Sequence, residues 1–265
     1  MEGALNKEQL LSHLKGDEER ELGSHILDFA RLAWETNRPQ TTDFYDPYER
    51  KVALSVLGSI PEVGALTQGG YKQAERARLI IYPQFYLAET IPSSLRVLEA
   101  HGNFSFQEVT HGDYLGSILG TGLKRSKIGD ILVLSEGCQA IVATEVCDYL
   151  LTHWDKVHRV PITVKEIDEE QLAVEPERIK EIKATVASLR LDAVAAEGYG
   201  TSRSKMVREI KAERVKLNWK VVANPALAIK EGDVLSIRGR GRVVVAEVRG
   251  TTRKGRTSIL LHRYF

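Results

Sequence analysis

The chain is poor in cysteine, with Cys138 and Cys147 alone among 265 residues. Two thiols cannot build a disulfide scaffold, and the gap between them fits no zinc-ligand pair, so both read as small buried side chains. Long apolar runs are missing too. The greasiest stretch, Ile131 to Leu134, is strand-sized, far below the roughly eighteen residues of a membrane helix. Met1–Lys15 has neither an apolar signal core nor an Arg-rich, acid-free transit pattern, so the expectation is a cytoplasmic protein with no membrane contact. Net charge is almost absent, with 37 Lys and Arg against 36 Asp and Glu. Charged residues at 28% and hydrophobic ones at 43% are ordinary for a globular protein and exclude long disorder.

The charge is partitioned, however. Residues 187–265 hold 17 Lys/Arg and 7 Asp/Glu, a net of +10, whereas residues 1–186 hold 20 and 29, a net of −9. An acidic body joined to a basic C-terminal domain suits a polyanionic partner. The length fits two domains of usual size or three small ones.

The first segment, 1–75, reads as a helical domain. Leu22, Ile26, Phe29, Ala30, Ala33 and Trp34 recur at helical spacing, and Asn37-Arg38-Pro39 ends the run. A second helix opens at Asp46-Pro47-Tyr48-Glu49, where Asp46 can cap, Pro47 suits the first helical position and Glu49 completes a capping box. Val52, Val56, Leu57 and Ile60 form its buried stripe.

From 76 to 168 the pattern changes, beginning with a short apolar strand at Arg78–Tyr82. Phe104–Val109, Asp113–Thr121, Asp130–Leu134, Gln139–Thr144, Glu145–Lys156 and Ile162–Ile167 then read strand, helix, strand, strand, helix, strand. That is the βαββαβ order of ferredoxin-like domains, shared by the RNA-recognition motif. The two central strands carry no aromatic, so base stacking on this sheet is not expected, and Phe104 and Phe106 read as packing residues. Residues 169–186 read as an acidic linker.

In 187–265, Ser188 can cap a helix over Leu189–Glu197 and Ser202 a second one to about Ala212. On the second, Met206, Val207 and Ile210 share one side, while Ser204, Lys205, Arg208 and Lys211 project from the other. Asn218-Trp219 is a hairpin turn between Val215–Leu217 and Lys220–Val222, and strands follow at Val234–Arg238, Arg242–Val248 and Ser258–Arg263. The loop between the last two is basic, with Arg253, Lys254 and Arg256.

These pieces resemble the RNA-binding domain first named from ribosomal small-subunit protein S4, the alpha-L motif: Arg190-Leu191-Asp192, Ser202-Arg203, Ile210, Val215-Lys216-Leu217-Asn218 and Gly232-Asp233. The chain departs from the family at two turns, having Glu213 and Trp219 where glycine is usual. Thr42-Asp43-Phe44-Tyr45-Asp46-Pro47, Gly69-Gly70-Tyr71, Ala74-Glu75-Arg76, His111-Gly112-Asp113-Tyr114-Leu115-Gly116 and Gly122 to Ile131 extend the resemblance, over nearly the whole length, to the YlmH family of bacterial proteins. It is also similar to the cyanobacterial and plastid branch, whose members carry a photosystem II label, although no residue here points to photosynthesis.

The resemblance implies an α+β protein of three small domains: a helical or mixed N-terminal one, an RNA-recognition-like middle, and the alpha-L motif last. It implies binding to RNA on the large ribosomal subunit, with a role in rescuing stalled subunits that carry peptidyl-tRNA. Structured RNA, ribosomal or transfer, is the expected partner of a monomer. Arrayed cations bind phosphates, and a helix N-terminus adds backbone donors. The expected contacts are Arg190, Ser202, Arg203, Ser204, Lys205, Arg208, Lys211, Lys216, Asn218, Lys220, Arg253, Lys254 and Arg256. Lys124, Arg125 and Lys127 follow a helix end, where they either offset its dipole or form a second RNA contact.

Catalysis is weighed against this. Arg190-Leu191-Asp192 superficially resembles the catalytic triplet of pseudouridine synthases, but no catalytic-size domain follows it. Gly116, Gly120 and Gly122 lie within and after a helix, not in a strand-to-helix nucleotide turn, and read as close packing and a helix stop. His111 with Asp113, and Cys147 with His153, mark no nucleophile–base site by spacing, and His153, His158 and His262 show no metal-ligand spacing. The expectation is a non-enzymatic binder without cofactor or metal. The alternative is an RNA-modifying or RNA-processing enzyme whose site is hidden in the middle domain.

Overall fold

The computed structural model describes residues 7–105, 109–174, 178–252 and 255–264. It divides into two compact units, Met1–Val174 and Glu175–Phe265, and its class is α+β.

The first unit starts with α1 (Lys7–Leu11), α2 (Asp17–Thr36), β1 (Gln40–Tyr45), α3 (Pro47–Leu57), β2 (Val63–Gln68) and β3 (Ala77–Pro83). Asn37 takes the left-handed conformation (φ 52°) that ends α2. The capping box at the start of α3 is formed as its sequence dictates, with the Glu49 N–H donating to Asp46 and the Asp46 N–H to Glu49. Ile26, Ala30 and Ala33 of α2 pack with Val52, Ala53 and Val56 of α3 against Leu79 and Ile81. The strand expected at Arg78–Tyr82 exists, but as the centre of an antiparallel N-terminal sheet, β1–β3–β2. It does not begin the middle domain. Its flanks, Thr41 to Tyr45 and Val63 to Gln68, mix polar and apolar residues and need β3 beside them to become strands.

The middle of this unit holds β4 (Leu95–Gly102), α4 (His111–Gly120), β5 (Ile128–Leu134), β6 (Gly137–Ala143), α5 (Cys147–His153), β7 (Lys156–Val157) and β8 (Val160–Ile167). The sheet order β5–β6–β4–β8–β7 is the ferredoxin-like arrangement with one short hairpin strand added. The first strand lies earlier than Phe104–Val109. Leu95 and Val97 point to one face, Leu98 and Ala100 to the other, and all four are buried. Phe104 falls outside any strand and packs edge-on against Tyr114, with ring centroids 5.9 Å apart; Phe106 lies outside the described residues. Gly137 sits where a Cβ would come within 1.9 Å of the Ala100 carbonyl oxygen, so only glycine lets β6 run so close to β4. Gly116 and Gly120, in contrast, have open space beside them, which removes the close-packing reading. Gly122 (φ 95°) is the helix stop.

The second unit comprises β9 (Ile179–Val186), α6 (Leu191–Tyr199), α7 (Arg203–Lys211), β10 (Val215–Leu217), β11 (Lys220–Val221), β12 (Val234–Ile237), β13 (Arg242–Thr251) and β14 (Thr257–Tyr264). They form the antiparallel sheet β11–β10–β12–β13–β14–β9. The end of the expected linker 169–186 is therefore an edge strand. Ile182, Ala184 and Val186 turn toward the core and alternate with exposed Glu181, Lys183 and Thr185. α6 starts later than Leu189, with Arg190 rather than Ser188 as its N-cap residue. The first free N–H groups of α6, on Leu191 and Asp192, donate to the carbonyls of Leu227 and Pro225 at 2.9 and 3.0 Å.

Candidate nucleic-acid interface

α7 is positioned from both ends of its chemistry. The Ser202 hydroxyl accepts the Lys205 N–H at 3.3 Å, capping the first turn. Met206 and Ile210 are fully buried beneath it. On its outer side Lys205, Arg208 and Lys211 are exposed, and none forms an ion pair or side-chain hydrogen bond with another described residue. Ser204 is exposed beside them, its hydroxyl 3.3 Å from that of Ser202. Three cations on the first and last turns of one helix face can meet successive phosphates.

Other expected contacts serve the fold first. Asp192 is only 3% exposed. Arg190 donates to it at 3.2 Å, and Arg203 reaches it from α7 at 3.0 and 3.1 Å. Burial disfavours the carboxylate, but the two guanidinium groups outweigh it and hold the carboxyl below its ordinary value. The separated motif pieces Arg190-Leu191-Asp192 and Ser202-Arg203 are thus one clamp between α6 and α7. Asn218 acts likewise. Its amide donates to Asp233 at 2.9 Å and accepts the Val234 N–H at 2.9 Å, which locks the β10–β11 turn to the start of β12. Arg256 donates to the hydroxyl and carbonyl oxygens of Thr185 on β9. Lys216 and Lys220 are exposed on the β10–β11 hairpin. Arg253 and Lys254 lie outside the described residues. The two turns that depart from glycine keep its geometry, for Glu213 (φ 58°) and Trp219 (φ 66°) are both left-handed.

At the other candidate contact, Lys124 is exposed. Arg125 donates to the carbonyls of Ile128 and Gly129, and Lys127 bridges Asp43 on β1 and Glu145, the latter at 2.9 Å. Burial would raise the Glu145 carboxyl, but hydrogen bonds from Arg78 and Lys127 prevail and hold it at about 2. Lys127 therefore joins the N-terminal sheet to the middle domain, and Arg125 is held by the start of β5.

The sheet face that carries stacking aromatics in RNA-recognition motifs is filled differently. Glu99 pairs in register with Gln139 on one side and Lys165 on the other. Its carboxylate accepts from Lys165 at 2.8 Å, His101 at 2.9 Å and Gln139 at 3.0 Å, which hold it at about 2. Gln139 also donates to the Gln171 carbonyl and accepts the Ala173 N–H, so the chain beyond β8 folds back over this face.

The pairs weighed for catalysis are apart. Asp113 caps α4 through Thr110 and lies 3.0 Å from His158 Nε2, not beside His111. The Cys147 thiol, pushed up to about 11 by burial and by Glu166, is not a ready nucleophile. His153 stacks on Tyr149 with centroids 4.2 Å apart. Among the described residues no group of three or more His, Cys, Asp or Glu side chains could hold a metal, and no helix is long and apolar enough to cross a membrane. In the sequence Asp192 and Asp233 stand out only as members of the motif pieces Arg190-Leu191-Asp192 and Gly232-Asp233, without the structural roles they hold here; the arginines at positions 190 and 203 were the available signal for a buried acid.

Three family models match in chain order: "YlmH, N-terminal" over residues 18–86, "Putative RNA-binding domain in YlmH" over 93–171, and "S4 domain" over 189–235. The N-terminal match extends past β3, in keeping with the sheet that β3 joins. A curated relative, "Ribosome-associated protein quality control protein P2" of Bacillus subtilis (strain 168), is 34% identical over 254 residues, which is 96% of this chain and 98% of the relative. The solved structure "Cell division protein ylmH from Streptococcus pneumoniae" is 21% identical and covers 60% of this chain and 96% of its own, at a TM-score of 0.49.

Proposed function

The chain belongs to the YlmH family, and from that premise we propose that it is a non-enzymatic RNA-binding factor of the large ribosomal subunit. It contacts ribosomal RNA or tRNA there, as a cytoplasmic monomer, in the rescue of stalled peptidyl-tRNA within ribosome-associated quality control. The observation that carries the reading is the outer face of α7, where Lys205, Arg208 and Lys211 stand exposed within the S4 domain match, in a C-terminal region (187–265) of net charge +10. The name of the Bacillus relative supports the ribosome as the place of action. The Lys205, Arg208 and Lys211 face supplies affinity through phosphates, while Arg190, Arg203 and Asn218 keep that face in position.

Ultraviolet crosslinking in cells, followed by sequencing of the bound RNA, tests this directly. Crosslinks should map to large-subunit ribosomal RNA and to tRNA; crosslinks confined to messenger RNA would overturn the ribosomal assignment. Incubation with bulk RNA, with and without S-adenosylmethionine, should leave the RNA chemically unchanged. Any change lost in His111→Ala or Asp113→Asn would instead establish an enzyme.

A further inference from the structure

Among the described residues the three sheets end in six edge strands, and five of these carry a feature that discourages further pairing. β7 and β11 are two residues long. β9 carries Lys180, Glu181 and Lys183. β1 and β5 are broken by register shifts, between Thr41 and Phe44 and between Ile128 and Ile131, each at an aspartate. β2 has none of these features. Val63-Gly64-Ala65-Leu66-Thr67-Gln68 holds no charge and no proline, and it pairs with β3 in unbroken register.

The ladder fixes which main-chain groups face outward. The Leu79 N–H donates to the Thr42 hydroxyl, on the β1 side of β3, at 3.0 Å. Main-chain groups alternate sides along a strand, so Leu79 and Ile81 face β1 while Arg78, Ile80 and Tyr82 face β2. Thr67 and Ala65, opposite Leu79 and Ile81, therefore direct their N–H and C=O groups away from β3. No hydrogen bond from another described residue reaches these groups.

The start of the same strand adjoins exposed apolar surface. The Gln84 N–H donates to the Glu62 carbonyl at 2.9 Å, which ties the loop after β3 to the beginning of β2. On that loop Phe85 and Leu87 are 65% and 69% exposed, more than any other large hydrophobic residue described. Tyr86 between them is anchored through its hydroxyl, which donates to the Asn37 carbonyl at 3.1 Å. Glu89, two residues on, is exposed and has no ionic partner among the described residues. Unpaired edge groups select an extended segment, and Phe85 with Leu87 selects an apolar side chain on it. The net charge of −9 over residues 1–186 selects cations on the segment and opposes a second copy of the chain.

We propose that the outer edge of β2 receives an extended basic segment of a partner protein by strand addition, with an apolar side chain of that segment seated against Phe85 and Leu87. This surface belongs to the first unit, and the inference does not rest on the reading of α7.

The test uses the full-length protein and the synthetic peptide Lys-Val-Lys-Val-Lys-Val-Lys, with affinity measured by calorimetry and the site read by amide hydrogen exchange. The peptide should bind, and exchange of the Ala65 and Thr67 amides should slow by about tenfold or more at saturation. The same peptide N-methylated at its valines keeps its charge but loses edge donors, and it should not bind. Thr67→Pro removes an outward N–H at an edge, where proline is tolerated, and should weaken binding by about tenfold. Phe85→Ser with Leu87→Ser should do the same, and this exposed pair carries the test if Thr67→Pro melts early. RNA affinity should stay at the wild-type value in every variant. Failure of the peptide to bind would overturn the proposal. Equal binding of the N-methylated peptide, or wild-type affinity in the folded variants, would show attraction by charge alone and overturn it too. Sedimentation as a dimer that Thr67→Pro converts to a monomer would assign the edge to a second copy instead. Loss of RNA affinity in the Phe85→Ser, Leu87→Ser protein with peptide binding intact would assign the loop to RNA, and either result would overturn the proposal.

Discussion

Two cationic stretches look alike in sequence and differ in structure. Lys124 to Lys127 and Lys205 to Lys211 each follow a helix or line one, and each reads as a surface for RNA. In the first, Lys127 is held by Asp43 and Glu145 and Arg125 by backbone carbonyls. In the second, Lys205, Arg208 and Lys211 meet no acid among the described residues, and Glu209 on the same helix pairs instead with Arg214. The regional charge explains the contrast. In residues 1–186 acids outnumber cations by 29 to 20, so a cation near a domain seam finds a partner; in 187–265 there are 7 acids for 17 cations, and most cannot. A basic residue is available to RNA only when its own fold has not already claimed it.

The largest effect lies beneath α7. Ile210→Ala empties a fully buried position under α7 and should cost about 2–5 kcal/mol. Thermal melts should register the loss, while RNA affinity at temperatures where the variant is folded stays near wild type. Asp192→Asn should cost about 2–3 kcal/mol, because two guanidinium groups lose a buried partner but remain open to water. Its carboxyl is held low in the folded state. That contribution is therefore complete above the ordinary Asp value of about 4 and is lost as pH falls through the lowered one. The variant should show a shallower acid limb in pH-dependent denaturation.

Lys127→Ala sharpens the contrast from the other side. It should cost about 1 kcal/mol or less, since its ion pairs are partly exposed, and should leave RNA affinity unchanged. A loss of affinity in a folded variant would place this turn in the interface after all. Glu213→Gly should stabilise by about 0.5 kcal/mol, because glycine takes φ 58° without steric cost. Denaturant midpoints would show it as a small upward shift.

How much the sequence disclosed follows the range of the interactions. The capping box at Asp46, the N-cap at Ser202 and the Asn218-Trp219 turn are set by neighbours a few residues apart, and all are present; the βαββαβ order is present too, but its first strand is Leu95–Gly102 and not the expected Phe104–Val109. β9 is set by pairing with β14 and shows one solvated face, which reads as a polar linker. β1 and β2 depend in the same way on β3. At the interface the residue types were legible, but their division of labour was not. Arg203 is claimed by a partner 11 residues away, Asn218 by one 15 away and Arg256 by one 71 away. Each of those claims is made in space, and only the cations of α7, whose burial pattern is local, could be placed from the helical period.

The RNA surface centres on α7, and the decisive measurement is a salt titration of RNA affinity for Arg208→Ala beside wild type, with melting curves as the control for folding. The exposed side chain should change stability by no more than about 0.5 kcal/mol. Affinity should fall with little change in sequence preference, and the slope of log K against log salt should flatten by about 0.7–0.9. A folded Arg208→Ala protein with the wild-type affinity and slope would contradict the assignment of this face to RNA.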